Sequence, residues 1–175
     1  MDTAKTILVV SFVLLIISVP LYFINEYIVY AQHDYKIDII RSHLSLALDT
    51  HNVDAKVSYI DDTVKSLEVW HGNGNWWFPT EETDIDRTRE LLLSVSQDVR
   101  EQEDVKDREG YFILPHNELI TYLNSEIEKG DDRLHSYGKA IHFNPHNNIG
   151  YWVLLPTAFI SFWTFLVFGL FRLEE

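Results

Sequence analysis

The stretch TILVVSFVLLIISVPLYFIN (Thr6–Asn25) carries no charged residue, and a second such run, YWVLLPTAFISFWTFLVFGLF (Tyr151–Phe171), lies near the other end of the chain. At a rise of about 1.5 Å per residue, runs of this length each cover a hydrocarbon core of ~30 Å once. Between their flanks lies a largely polar segment, His33–Gly150. The pattern predicts a two-pass membrane protein with short tails and one compartment-facing domain. Its divisions are 1–32 (N-terminal span, a signal anchor with an aromatic flank), 33–150 (domain) and 151–175 (C-terminal span and tail).

Each run has an aromatic flank on the domain side. Tyr22, Phe23, Tyr27 and Tyr30 cluster at the end of the first, and Tyr151 and Trp152 open the second. This is the composition of an interfacial aromatic belt. Pro20 and Pro156 lie on the same side, where a kink is most easily accommodated. With no Asp, Glu, Lys, Arg or His inside either run, the two helices do not form an ion path or proton relay by themselves.

Val29-Tyr30-Ala31 resembles the small-x-small pattern before a signal-peptidase site. The apolar run is longer than a signal-peptide core, however, and Asn25 and Glu26 interrupt the approach, so a retained anchor is expected. Two spans place both tails on one side. Lys5 at the edge of the first run, with Asp34 and Asp38 beyond its far end, predicts cytoplasmic termini and an extracytoplasmic domain.

The net charge is −13. Asp2, Lys5, Glu26, Arg172, Glu174 and Glu175 contribute −2 of it, leaving −11 for the domain. Such a surface repels phosphate backbones, which excludes nucleic acid as an expected partner. The absence of cysteine removes disulfides, thiolate catalysis and Cys-ligated metal centres.

Within the domain, Ile37, Ile40, Leu44, Ala47 or Leu48, and His51 recur at helical spacing and predict a first helix ending near Thr50. Val57 with Tyr59 and Leu67 with Val69 alternate around Asp61-Asp62-Thr63, so Ala55–Ile60 and Lys65–His71 read as a β-hairpin. His71–Asn75 is turn chemistry. Thr83–Asp86 reads as a capping box that opens a second helix with the stripe Ile85, Thr88, Leu92, Val95 and Val99. Tyr111–Leu114 reads as a buried strand, Asn117 as the cap of a third helix ended by Gly130, and Lys139–Phe143 as a last strand. The expected fold is therefore a small α+β domain, order α-β-β-α-β-α-β, between two transmembrane α-helices.

Two groups of residues are candidate sites. Trp70, Trp76, Trp77 and Phe78 crowd around a glycine-rich turn, and consecutive tryptophans do not all face inward. Exposed tryptophan anchors interfaces and also sits at membrane surfaces. His135, His142 and His146 are the other group, imidazoles being ligands for copper or zinc. Pro145 opposes the helix that would bring His142 and His146 onto one face, and no His-Glu-x-x-His sequence is present. The acidic pairs match no EF-hand loop, and Gly72-Asn73-Gly74 lacks the rest of a phosphate-binding fingerprint.

The sequence thus predicts a non-enzymatic, membrane-anchored accessory subunit of a larger membrane complex, with other membrane-protein subunits and the lipid bilayer as partners and no cofactor. Two alternatives stand beside it. One is a membrane-surface copper or zinc protein or enzyme using the histidines. The other is an extracytoplasmic ligand sensor relaying through a partner chain, since no output domain follows Leu173. Ser11, Ser18, Thr157, Ser161, Thr164 and Gly169 are small positions suited either to packing against helices or to bonding their own backbone.

Overall fold

The computed structural model describes residues 3–75, 77–101 and 117–173. Its helices are α1 (Thr3–Val29), α2 (Tyr35–Asp49), α3 (Val53–Leu67), α4 (Ile85–Glu101), α5 (Asn117–His142) and α6 (Leu155–Leu173). A π-helical turn, Tyr30–Asp34, precedes α2, another, Gly150–Leu154, precedes α6, and Glu81–Thr83 is a 3-10 turn. The chain divides into two compact units, one of Met1–Gln32 with His142–Glu175 and one of His33–Ile141.

The first unit is a helical hairpin. Two helical segments, Thr3–Asp49 and Gly150–Gly169, are long and apolar enough to cross a membrane, and few residues of their apolar windows are buried. Phe12 meets Phe165 with ring centroids 5.7 Å apart, while Asn25 meets Asn148, so α1 and α6 run antiparallel. Small residues make the seam: Ser11, Ser18, Ala158 and Ser161 are buried. This is the close approach expected where apolar surface alone gives helices no reason to associate in lipid. Thr157 and Thr164 instead donate to the carbonyls of Val153 and Ile160 in their own helix.

The second unit is a helical bundle, and the expected α+β domain is overturned: no strand occurs among the described residues. The Ala55–Ile60 and Lys65–His71 hairpin is replaced by the single helix α3. Asn52 caps it by accepting from the Ala55 amide at 2.9 Å. Val53, Lys56, Ile60, Thr63, Val64 and Leu67 form its buried face, at helical and not alternating spacing. Gly130 does not end a helix, and Lys139–Phe143 is not a strand, because α5 continues through both to His142. The expected strand Tyr111–Leu114 lies outside the described residues. The helix that opens at Ile85 is capped by Asp84, not Thr83: Asp84 Oδ1 accepts from the amides of Asp86 and Arg87.

The packing follows from these faces. Leu44, Ile60, Leu67, Ile85, Leu92, Leu123, Ile127 and Leu134 are fully buried in one cluster. Each such side chain is worth about 1.5–3 kcal/mol of transfer free energy. Gly138 lies against Ile37, Asp131 bonds Arg41, and Gly130 lies against Leu44, so α5 runs antiparallel to α2. Asp61 of α3 bonds Ser96 and Arg100 of α4, while Gly72, after α3, bonds Ile85 at the start of α4. That pair is antiparallel too. The loop 68–84 therefore sits at the end of the bundle where the chain enters at His33 and leaves at Ile141.

Candidate functional site

Of the aromatic group Trp70, Trp76, Trp77 and Phe78, the three described residues differ in exposure. Trp70 is half-buried, with its ring edge-on to Tyr137 (6.1 Å between centroids) and to His33 (5.9 Å). It completes the base of the bundle core, against which it packs. The same burial, reinforced by Asp86 and Asp84, pushes the Tyr137 hydroxyl up to about 12. Trp76 lies outside the described residues. Trp77 and Phe78 are 59% and 75% exposed, and Val69 on the same loop is 82% exposed.

The loop that carries them is heavily bonded. Gly72 takes φ +75°, where a side chain is strained. Gly74 donates to the Thr83 carbonyl at 2.8 Å, and an added Cβ there would lie 3.0–3.1 Å from Tyr137 and Ala140. The Asn73 side chain donates to the Thr80 carbonyl and accepts from Thr83 Oγ1, both at 2.7 Å. Asn75 Oδ1 accepts from the amides of both Trp77 and Phe78 at 3.1 Å. Asp86 anchors the loop's start by accepting from the Gly72 amide at 2.8 Å; that bond first, then His71 and Arg89, holds its carboxyl below the usual range against some desolvation.

The histidines are dispersed. His135 lies on α5, where Arg41 Nη1 donates to its Nδ1 at 3.2 Å. The same guanidinium forks onto Asp131 through two bonds of 2.8 Å, the geometry that makes arginine–carboxylate pairs strong. His142, two helical turns beyond His135, places Nε2 3.3 Å from Glu26 Oε2. His146 follows in the turn after α5, its amide donating to Asn144 Oδ1 at 3.0 Å. Among the described residues, no three His, Asp or Glu side chains converge as metal ligands.

His142 instead belongs to a polar cluster within the hairpin unit. Asn148, fully buried, accepts from Asn25 Nδ2 at 2.7 Å and from the Tyr151 amide at 2.9 Å, and donates to Glu26 Oε1 at 2.9 Å. Trp152 Nε1 donates to the Phe143 carbonyl at 2.7 Å. Every group here finds a partner inside the hairpin, so the cluster reads as a clasp.

Sequence reasoning missed the outer face of α2. Tyr35, Ile39 and Leu46, spaced i, i+4, i+11, are 52%, 43% and 46% exposed. They fall on one line with Ser42, opposite the buried Ile37, Ile40, Leu44 and Ala47. Asp38 and Asp49 flank one side of the line and Lys36 the other. The signal was available in the sequence as a second apolar stripe, hidden because the first already explained a helix. No protein-family model matches the chain, and comparison with curated proteins and with solved structures likewise finds no match.

Proposed function

We propose that this chain is a non-enzymatic, membrane-anchored interaction subunit, and that the outer face of α2 receives a helix of another membrane protein. The observation that carries the reading is the two-faced character of α2. One stripe packs into the bundle, and the other, centred on Ile39 and Leu46, is exposed. A helix that is apolar on both sides is ordinarily covered on both sides. The rim of Asp38, Asp49 and Lys36 supplies charge at the edge of the stripe, where it sets register without crossing the apolar centre.

The orientation that fits is cytoplasmic termini with the bundle on the opposite side of the membrane. The arrangement of the histidines favours this reading over a copper or zinc enzyme, because His135 and His142 are each engaged by a charged neighbour on a different helix. The internal use of Ser11, Ser18 and Ser161 in the hairpin seam directs attention to the bundle, not the spans, as the docking element.

The test is mild-detergent extraction from native membranes followed by native mass spectrometry of wild type and of Ile39→Asp/Leu46→Asp. We expect wild type in a stable assembly with a second membrane protein and the double variant released from it. A wild-type monomer, an assembly of this chain alone, or an assembly unaffected by the two aspartates overturns the reading.

A further inference from the structure

We infer that Trp77 and Phe78 form an interfacial membrane anchor, inserting from the base of the bundle into the headgroup region of the bilayer its flanking helices are built to cross. Three independent observations converge on this loop.

The first is position. Trp70 packs on His33, and Gly74 lies against Ala140, so the loop occupies the end of the bundle at which the chain enters and leaves it. At both points the chain continues into a segment long and apolar enough to cross a membrane. The opposite end, where α2 passes to α3, is a further ~20 Å away by helical rise.

The second is chemistry. Trp77 and Phe78 present large rings to solvent, and Val69 adds apolar surface on the same loop. Tryptophan with phenylalanine is the composition that settles at the headgroup level, with an apolar body and, on tryptophan, one polar tip.

The third is the state of the backbone. A peptide N–H that leaves water without a partner costs several kcal/mol, which keeps most loops out of the bilayer. Here Asn75 Oδ1 already accepts from the amides of Trp77 and Phe78, and Pro79 has none to satisfy. Three consecutive residues therefore approach lipid without an orphan donor. A loop made only to expose two rings to a soluble partner would gain nothing from this.

The charge balance specifies the lipid. With a net charge of −13 and with Glu81 and Glu82 next to the tip, the chain is not drawn to anionic headgroups. The insertion is apolar in origin and suits a zwitterionic surface. It does not depend on docking at α2, and one can fail without the other.

Because the chain has no cysteine, single-cysteine labelling tests the inference cleanly. The full chain carrying Pro79→Cys, or Asp54→Cys at the far end of the bundle, is labelled with an environment-sensitive fluorophore and reconstituted into phosphatidylcholine vesicles. Headgroup-level spin-labelled lipid should quench the label at position 79 by about two-fold and leave that at position 54 unchanged. Adding Trp77→Ser/Phe78→Ser, or Phe78→Ser alone, to Pro79→Cys should abolish the quenching, while circular dichroism reports the bundle intact. Absence of quenching at position 79 overturns the anchor, as does quenching that survives loss of both rings. Shielding that appears only when a second copy or another membrane protein is co-reconstituted also overturns it and assigns the tip to a protein partner.

Discussion

Lys56, in the first turn of α3, donates its ammonium to the carbonyl of Ala47 in the last turn of α2, and to Asn124 Oδ1 at 3.0 Å. Ala47 O is among the terminal carbonyls that a helix leaves unpaired, at the negative end of its dipole. The side chain is fully buried, and desolvation pushes its pKa down to about 8 against the pull of Asp49. Below about pH 8 the lysine is charged in both folded and unfolded chains, and the fold bears the whole desolvation cost. Between about 8 and the ordinary 10.5, the unfolded chain holds a proton that the folded chain has released. Stability therefore rises across that window, and the contribution is lost as pH falls back through 8. Compared with Lys56→Met, wild type should gain up to ~3 kcal/mol of unfolding free energy over the window, less whatever solvent screening removes. Denaturant titrations at several pH values measure it; parallel profiles for the two proteins would reject the burial of charge.

Gly130 predicts a second outcome. An added Cβ would lie 2.8 Å from Leu92 Cδ2 and 3.7 Å from Leu44 Cδ1, both in the sealed core. Alanine gains about 1 kcal/mol of helix propensity, but overpacking costs about 1–3 kcal/mol. The expected net is a loss of about 1 kcal/mol in Gly130→Ala, reduced when Leu92 is shortened to valine. Gly169→Ala, at a helical glycine with nothing within 4 Å, is the matched control and should lose nothing. Equal unfolding midpoints for Gly130→Ala and wild type would show that α5 stands further from its neighbours.

The same glycine shows where sequence reading stopped. Gly130 and Gly138 sit inside α5 because that helix crosses Leu92, Leu44 and Ile37 at close range. A sequence shows glycine and not the neighbour, so a packing glycine reads as a helix end. In α3 the core position Lys56 breaks the apolar periodicity, and Asp61-Asp62-Thr63 looks like a turn although Asp61 is helical and bonded to Ser96 and Arg100. With the helical signal masked, two chance alternations suggested strands. The membrane-length helices were legible from their uncharged runs, and α2 and α4 from buried stripes at helical spacing. Exposure at Trp77 and Phe78 was half legible: adjacency required one outward ring, and the contacts of Trp70 with His33 and Tyr137 place Trp70 on the core side.

Asn148 should hold the helical hairpin closed. It links Asn25, Glu26 and the Tyr151 amide from a fully buried position, and Glu26 in turn faces His142. Interhelical polar contacts of this kind are worth about 0.6–1.7 kcal/mol in membrane proteins. Asn148→Ala removes the hub of three and leaves Glu26 with one partner fewer, so a loss of ~1–2 kcal/mol is expected. Steric-trap unfolding of the hairpin in micelles reads it directly. A variant as resistant as wild type would mean that the small-residue seam alone closes the pair.

Asp86 governs the loop more than the bundle. Its Oδ2 accepts from the Gly72 amide and its Oδ1 from Arg89, each at 2.8 Å, with His71 Nδ1 3.5 Å away. The Gly72 bond holds the carboxyl below its ordinary value, so its contribution is present above about pH 4 and fades as pH falls through the lowered folded value. Asp86→Asn mimics the protonated form at neutral pH. Amide exchange at Gly74, Trp77 and Phe78 should then accelerate several-fold, while amides of α2 and α5 keep wild-type protection, since local opening need not involve the core. Wild type acidified through that lowered value should show the same selective loosening. If the variant and wild type exchange alike at those three amides, the Asn73–Asn75–Thr80–Thr83 network holds the tip without Asp86.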